Sequence, residues 1–212
     1  MPNPPSPLKV SLIGYGKMGK MVEKAALSRN HLIVDVLEAD VCIDFTHPDA
    51  AVENIYRLAE QRKNIIMGTT GWYERLPEVE ALVKKYQIGL LYSPNFSLGV
   101  NLFLRIVEEA AKRLLPFNYH VAGVEWHHKE KVDSPSGTAL AIAKRTGVPV
   151  DFASVRCGSI PGKHELLFDS KVDQITLTHE ARSREGFAMG AVQAAEWLQG
   201  KTGLYTMEDM FK

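Results

Sequence analysis

Short apolar strands that alternate with amphipathic helices predict an α/β fold: a Rossmann-like parallel sheet domain plus a smaller α+β domain. Three observations carry this. The first ordered strand runs straight into a glycine-rich turn and a helix. Strands and helices then alternate up to residue 95. After that the rhythm changes to one long helix followed by strands with no helix between them.

LKVSLIG, from Leu8, is apolar and β-branched and ends in glycine, as a buried strand does. GKMVEKAALS has helical spacing at Met18, Val22, Ala25 and Ala26. HLIV and VCIDF (41–45) are the next strands. THPDAAVENIYRLAEQRK is a helix with Pro48 and Asp49 in its first turn and Ala51, Ile55, Leu58 and Ala59 along its apolar stripe. NIIMG is a strand, LPEVEALVKKYQ a helix and IGLLYS a strand. SLGVNLFLRIVEEAAKRLL is one long helix that buries Val100, Phe103, Ile106, Val107, Ala110 and Leu114. HVAGVEWHH is a strand, TALAIAKRTG a helix ended by Gly147, and HELLFDS and DQITLTHEA are strands of a mixed or antiparallel sheet. GFAMGAVQAAEWLQGK is a last helix that packs back on the first domain. The expected division is a disordered arm at 1–7, a dinucleotide-binding domain at 8–95 and 186–212, and a substrate-binding and oligomerisation domain at 96–185.

The chain carries 25 Lys plus Arg and 25 Asp plus Glu. Zero net charge predicts no nucleic-acid surface and no basic membrane patch, so any anion site must be local. No apolar run approaches the ~18 residues of a membrane span, and MPNPPSPLK has no apolar core of a signal peptide. Cys42 and Cys157, the only cysteines, lie in or beside apolar or glycine-containing runs, as buried small hydrophobes do. They form neither a zinc knuckle nor a disulfide framework, and a cytoplasmic protein is expected.

Residues 14–19 read GYGKMG. After a strand and before a helix, Gly14, Gly16 and Gly19 serve a tight turn, a close approach of pyrophosphate and close helix–strand packing. The helix start offers free N–H groups to phosphate, and Lys17 adds a cation. Asp35, 21 residues after Gly14, either reads a ribose or caps the next turn; Glu38 is the other candidate. Gly68, Thr69 and Thr70, and then SPNF (93–96), end strands on the ligand edge of a parallel sheet, where they serve a nicotinamide or are ordinary turns.

The segment EWHHKEKVDSPSGTAL (125–140) gathers His127, His128 and Lys131 before a helix that opens on Ser136, Gly137 and Thr138. Free amides, two hydroxyls and a helix dipole suit a carboxylate, and histidine moves protons near neutral pH. The competing explanation is a solvated charged loop with a serine cap. HH-K-E lacks the i, i+4 spacing of a helical zinc site, so no metal is expected.

Taken together, GYGKMG, CIDFTHPDA (42–50), GTTGW (68–72), SPNFSLGVN (93–101), EWHHKEKVDSPSGTAL and ITLTHEARSREGFAMGAVQAAEWL (175–198) resemble the 4-hydroxy-tetrahydrodipicolinate (dihydrodipicolinate) reductase family across nearly the whole chain. The resemblance implies NADH- or NADPH-dependent reduction of a small dicarboxylate in lysine and diaminopimelate synthesis. It implies His127 as proton donor/acceptor, Lys131 as second proton donor, and His128, Lys131, Gly137 and Thr138 at the substrate, which Ser136 joins from the helix-start reading alone. It places Gly14, Gly16, Lys17, Met18, Gly19, Gly68, Thr69, Thr70, Ser93, Pro94, Asn95 and Phe96 at the cofactor, to which the spacing alone adds Asp35, and it implies a homotetramer. HLIVDVLEADVCIDFT is shorter than the family's usual segment, position 47 is His where some members have arginine, and between Thr138 and Arg156 there is room for one short helix and a turn. The shortened ribose end leaves NADH and NADPH both open. The alternatives are a regulatory NAD(P)-binding protein without chemistry, and a reductase of another cyclic imine dicarboxylate.

Overall fold

The computed structural model describes residues 6–212, so most of the expected N-terminal arm lies outside the described residues. Two compact units form, one from the chain up to residue 97 together with 185–212, the other from 98–184.

In the first unit β1 (Lys9–Ile13), α1 (Lys17–Ser28), β2 (Leu32–Ile33), β3 (Val41–Asp44), α2 (Pro48–Glu60), β4 (Asn64–Met67), α3 (Leu76–Tyr86), β5 (Gly89–Tyr92), α6 (Glu185–Trp197) and β10 (Gly203–Thr206) follow one another along the chain. The six strands are all parallel, in the order β10-β5-β4-β3-β1-β2. Both faces of the central strands are buried. Cys42, Ile65 and Leu90 pack with Ile55, Leu58, Val79 and Leu82 of α2 and α3. Their neighbours Ile43, Ile66 and Leu91 point the other way, as strand alternation requires, and are equally buried. On that side α6 lies on β3 and β4 and packs against α1.

A buried polar knot fastens α6. Arg29 donates to Glu196 from Nε at 2.6 Å and from Nη2 at 2.8 Å, and His31 Nε2 lies 2.7 Å from Glu196. The backbone N–H of Leu8 donates to His31 Nδ1, so the ring's proton sits on Nε2 and is given to the carboxylate.

The short path from β2 to β3 has a geometric explanation. Parallel strands ordinarily need a dozen residues of crossover. Here β2 pairs only with the start of β1, and Ile33 and Val41 both lie opposite Val10. The chain therefore passes from one side of β1 to the other at a single level, and one short turn at Val36–Glu38 is enough.

The second unit contains α4 (Leu98–Leu114), β6 (His120–His127), α5 (Gly137–Thr146), β7 (Phe152–Arg156), β8 (Lys163–Asp169) and β9 (Gln174–Glu180). Its sheet runs β7-β6-β8-β9, with β7 parallel to β6 and the other pairs antiparallel. The helices α4 and α5 cover one face through Phe103, Val107 and Ile142 against Leu166 and Phe168. Gly123 is required on β6, because a Cβ there would stand 2.3 Å from the Phe152 ring.

Four expectations are corrected. β7 occupies the span thought to hold only a helix and a turn, and β10 adds an edge strand beyond the last helix. Ile106 is 54 % exposed, because the buried stripe of α4 runs through Val100, Phe103, Leu104, Val107 and Ala111 and leaves it to one side. Cys157 is exposed just past β7, whereas Cys42 is fully buried and its thiol is pushed up to about 12, chiefly by burial.

Candidate active site

In the first unit the candidate cofactor residues gather at the carboxyl ends of β1, β3, β4 and β5. Gly14 takes a φ of 88° and closes on the Phe45 carbonyl, which a Cβ would approach to 2.7 Å. Gly16 has nothing within 4 Å of its Cβ position, so the backbone at the start of α1 is open to a ligand. Among the described residues no side chain caps that start, and no acid lies in its first turn. An uncapped helix start beside a bare glycine fits a pyrophosphate. Lys17 is exposed and Met18 half-buried.

Asp44, fully buried, anchors the neighbouring loops. Its Oδ1 accepts the Thr46 N–H at 2.9 Å and the hydroxyls of Thr46 at 2.7 Å and Thr69 at 2.8 Å, while Oδ2 accepts from Asn54 at 2.9 Å. The Thr69 hydroxyl is thus committed inside the protein, and Thr70 next to it is exposed. The Phe45 ring lies where a Cβ on Gly68 would be, and its edge contact with Phe96 joins the two loops. The Ser93 hydroxyl is likewise turned to the Asn95 backbone, Phe96 is buried and Pro94 exposed. Extended along β1, Asp35 would stand level with Leu12, two residues or about 7 Å short of Gly14. It is exposed and starts the turn without a side-chain cap.

The proton-carrying groups lie in the second unit, where the inner face of its sheet changes from apolar to polar. Glu125 has no exposure. Its Oε1 accepts from the Ser136 N–H at 3.0 Å, the Ser154 hydroxyl at 2.7 Å and Arg156 Nη2 at 3.0 Å. Its Oε2 faces two imidazoles, His127 Nδ1 at 3.4 Å and His164 Nε2 at 3.5 Å. Burial raises the Glu125 carboxyl, but donors from Ser136, Ser154 and Arg156 prevail and bring it to about 2, so it is a carboxylate at neutral pH. Burial lowers His127, with Glu125 opposing and Lys131 and Arg156 assisting. Burial and then His127 lower His164 to about 4.

After His127 the chain turns away from the sheet. Arg156 ties this loop down through the carbonyls of Lys131 at 3.4 Å and Asp133 at 2.7 Å. His128 Nδ1 lies 3.2 Å from Glu130. Lys131 donates to both oxygens of Asp133, at 2.7 and 3.0 Å, and holds that carboxyl below the usual carboxylate range. Lys131 thus already holds a carboxylate, one from the chain itself. Thr138 is half-exposed beside Gly137. Ser136 is buried, and its hydroxyl accepts the Ala139 N–H at 3.1 Å and lies 3.2 Å from His164. The structure makes it the cap of α5, not an outward-facing group.

Glu125, His164, Ser154 and Arg156 are site residues that sequence reasoning did not single out. Glu125 stood within the quoted motif. Alternation in FASVR and HELLFD puts Ser154, Arg156 and His164 on one face each, but only the strand register brings them to Glu125. One atom each of Glu125, His127 and His164 lies within 4.8 Å of the others, a spacing that admits a metal ion. The Arg156 guanidinium already supplies the positive charge that a cation would bring.

A parallel sheet whose strand ends fit a dinucleotide, and a second unit that carries histidine and lysine ahead of a helix start, are the features of a two-domain nicotinamide oxidoreductase. The comparisons narrow that class. The family model for the dihydrodipicolinate reductase N-terminus matches residues 33–96 and that for the C-terminus residues 99–211. A 4-hydroxy-tetrahydrodipicolinate reductase from Christiangramia forsetii is 37 % identical, covering 96 % of this chain and 97 % of its own. One from Archaeoglobus fulgidus is 38 % identical over 95 % and 84 %. The chain belongs to the dihydrodipicolinate reductase family. The fold agrees: a dipicolinate-bound dihydrodipicolinate reductase from Paenisporosarcina sp. TG-14 superposes with a TM-score of 0.79 at 21 % identity, covering 94 % of this chain and 97 % of that one.

Proposed function

We propose that the protein reduces 4-hydroxy-tetrahydrodipicolinate to tetrahydrodipicolinate with NADH or NADPH, in lysine and diaminopimelate synthesis. The observation that carries this reading is the carboxylate site beside a buried histidine. Lys131 holds the Asp133 carboxylate, and a substrate carboxylate takes its place on Lys131, with the Gly137 and Thr138 amides and the Thr138 hydroxyl at the start of α5 as its further donors. Ser136 supports the site from behind as the helix cap. A nicotinamide held by the cofactor residues would supply the hydride for the ring. His127 gives the matching proton, Lys131 assists the departure of water, and His128 orients the dicarboxylate. Gly14, Gly16, Lys17, Met18 and Gly19 hold the pyrophosphate, and Asp35 lies toward the adenosine ribose. Residues Gly68–Thr70 and Ser93–Phe96 bring backbone to the nicotinamide end, with the side chains of Thr69, Ser93 and Phe96 shaping the loops.

The protein works in the cytoplasm as a homotetramer. The sheet face opposite α4 and α5 supports the assembly, since Val124, Trp126 and Leu167 on it are only partly buried and Val155 is exposed. Among the described residues no helix is long and apolar enough to cross a membrane.

The decisive experiment is a coupled assay in which dihydrodipicolinate synthase condenses pyruvate with aspartate semialdehyde while nicotinamide absorbance is followed. Oxidation that requires both precursors is the expected result, and the NADH to NADPH rate ratio gives the preference. Dinucleotide binding without oxidation would overturn the reading in favour of a regulatory protein or a reductase of another cyclic imine dicarboxylate.

A further inference from the structure

Resting on the reading that His127 carries a proton in the reaction, we propose that Glu125 and His164 are its positioning residues. Glu125 presents Oε2 to the Nδ1 edge of His127, so the ring keeps one N–H turned inward and exchanges its proton only at Nε2. His164 competes for the same oxygen.

The register of the sheet carries the argument. Ser154, Glu125, His164 and His179 stand directly opposite one another on β7, β6, β8 and β9. They form one polar row across the inner face. His127 lies two residues along β6 from Glu125 and opposite Arg156. Its ring meets that of His164 edge-on at 5.1 Å between centroids. Both side chains beside Glu125 are therefore fixed by strand pairing, not by a loop.

The hydrogen-bond count is uneven. Oε1 of Glu125 has three donors, whereas Oε2, His127 Nδ1 and His164 Nδ1 are buried without a hydrogen-bond partner among the described residues. An unpaired buried carboxylate oxygen is costly. The gap of 3.4 Å to His127 Nδ1 closes to a charge-assisted bond with a shift of a few tenths of an ångström. The charged and titratable groups around His127 are Lys131 and Asp133 of the following loop, Arg156 of β7 and His164 of β8, with His179 of β9 behind His164. Lys131, Arg156 and burial oppose a proton on His127, and Glu125 is the buried anion that favours it. A carboxylate behind an imidazole fixes tautomer and orientation and stabilises the imidazolium.

The proton accounting is simple. The imidazolium loses its Nε2 proton to the substrate, remains neutral with Nδ1–H facing Glu125, and regains a proton from water. Gly162 leaves room at the Nε2 edge, where a Cβ would lie 3.1 Å from that atom.

The test is the pH dependence of kcat. Because protonated His127 is the active form, activity falls above its pKa. Glu125→Gln removes the supporting charge and moves that basic limb down by about one pH unit or more. Substrate KM stays within about twofold, as expected for a group that touches no substrate. Glu125→Asp restores part of the shift. His164→Leu leaves Oε2 to His127 alone and moves the limb upward. An unmoved limb in Glu125→Gln with a general loss of rate would make Glu125 merely structural and overturn the proposal. Imidazole ¹⁵N spectra of the unaltered protein test it without relying on any variant's folding: neutral His127 carries its proton on Nδ1, and a proton found on Nε2 overturns the inference. Unchanged turnover in His127→Gln would instead remove the underlying reading, so the two failures are distinguishable.

Discussion

His127→Gln keeps the bulk of the ring's polar edge but cannot donate an acid proton. It should lower kcat by ~10²–10⁴-fold with little change in substrate affinity, measured in the coupled assay. Thr138→Val keeps shape and removes one hydroxyl at the start of α5. Its effect should fall on substrate KM, raised about tenfold, with kcat nearly preserved, since a lost uniform binding contact moves KM alone. These two residues were legible in the sequence because EWHHKEKVDSPSGTAL is contiguous and its chemistry is local. Their supports were not. His164 lies 39 positions beyond Glu125, and nothing in either segment states that β8 pairs with β6 in the register that joins them. Ser136 illustrates the reverse difficulty. A serine before a helix reads equally as ligand or cap, and burial decides for the cap.

At the level of elements, the turn between β1 and α1 separates two glycines with different duties. A Cβ on Gly19 would meet the Gly14 carbonyl oxygen at 2.3 Å, and backbone cannot give way as a side chain can. Gly19→Ala should therefore cost about 2 kcal/mol of stability, seen as a lower Tm without any ligand. Gly16→Ala has free space and a negative φ of −81°. It should leave the Tm nearly unchanged but raise the dinucleotide Kd about tenfold, because its methyl group stands where the pyrophosphate approaches. The strong strands and helices of both units were legible from periodicity. The two missed strands, β7 and β10, sit at sheet edges. Five residues of FASVR and four of GLYT carry too little pattern of their own, and pairing with β6 and β5 makes them strands.

For the molecule as a whole, buried ionisable groups set the response to acid. Glu125 and Glu196 are held below the ordinary carboxylate value when folded, so their contribution is present above the unfolded value and is lost as pH falls through the folded one. His127 and His164 are held below the ordinary imidazole value, and the unfolded chain takes up those protons first, which also favours unfolding as pH falls. All four act in one direction. Tm should decline from about pH 6.5 downward and more steeply below about pH 4.5, and a Tm that held constant to pH 4 would contradict these assignments. Glu196→Ala, which strands Arg29 and His31, should remove about 2–3 kcal/mol at neutral pH.

The interruption of the parallel sheet by residues 98–184 bears on how the protein is made. β5 is synthesised before that excursion, and its edge partner β10 only after it. On the ribosome the second unit, continuous in sequence, has all its strands in hand while the first still lacks α6 and β10. The unit that holds His127 and Lys131 is thus free to fold during translation, and the parallel sheet must wait for β10 before its edge is closed.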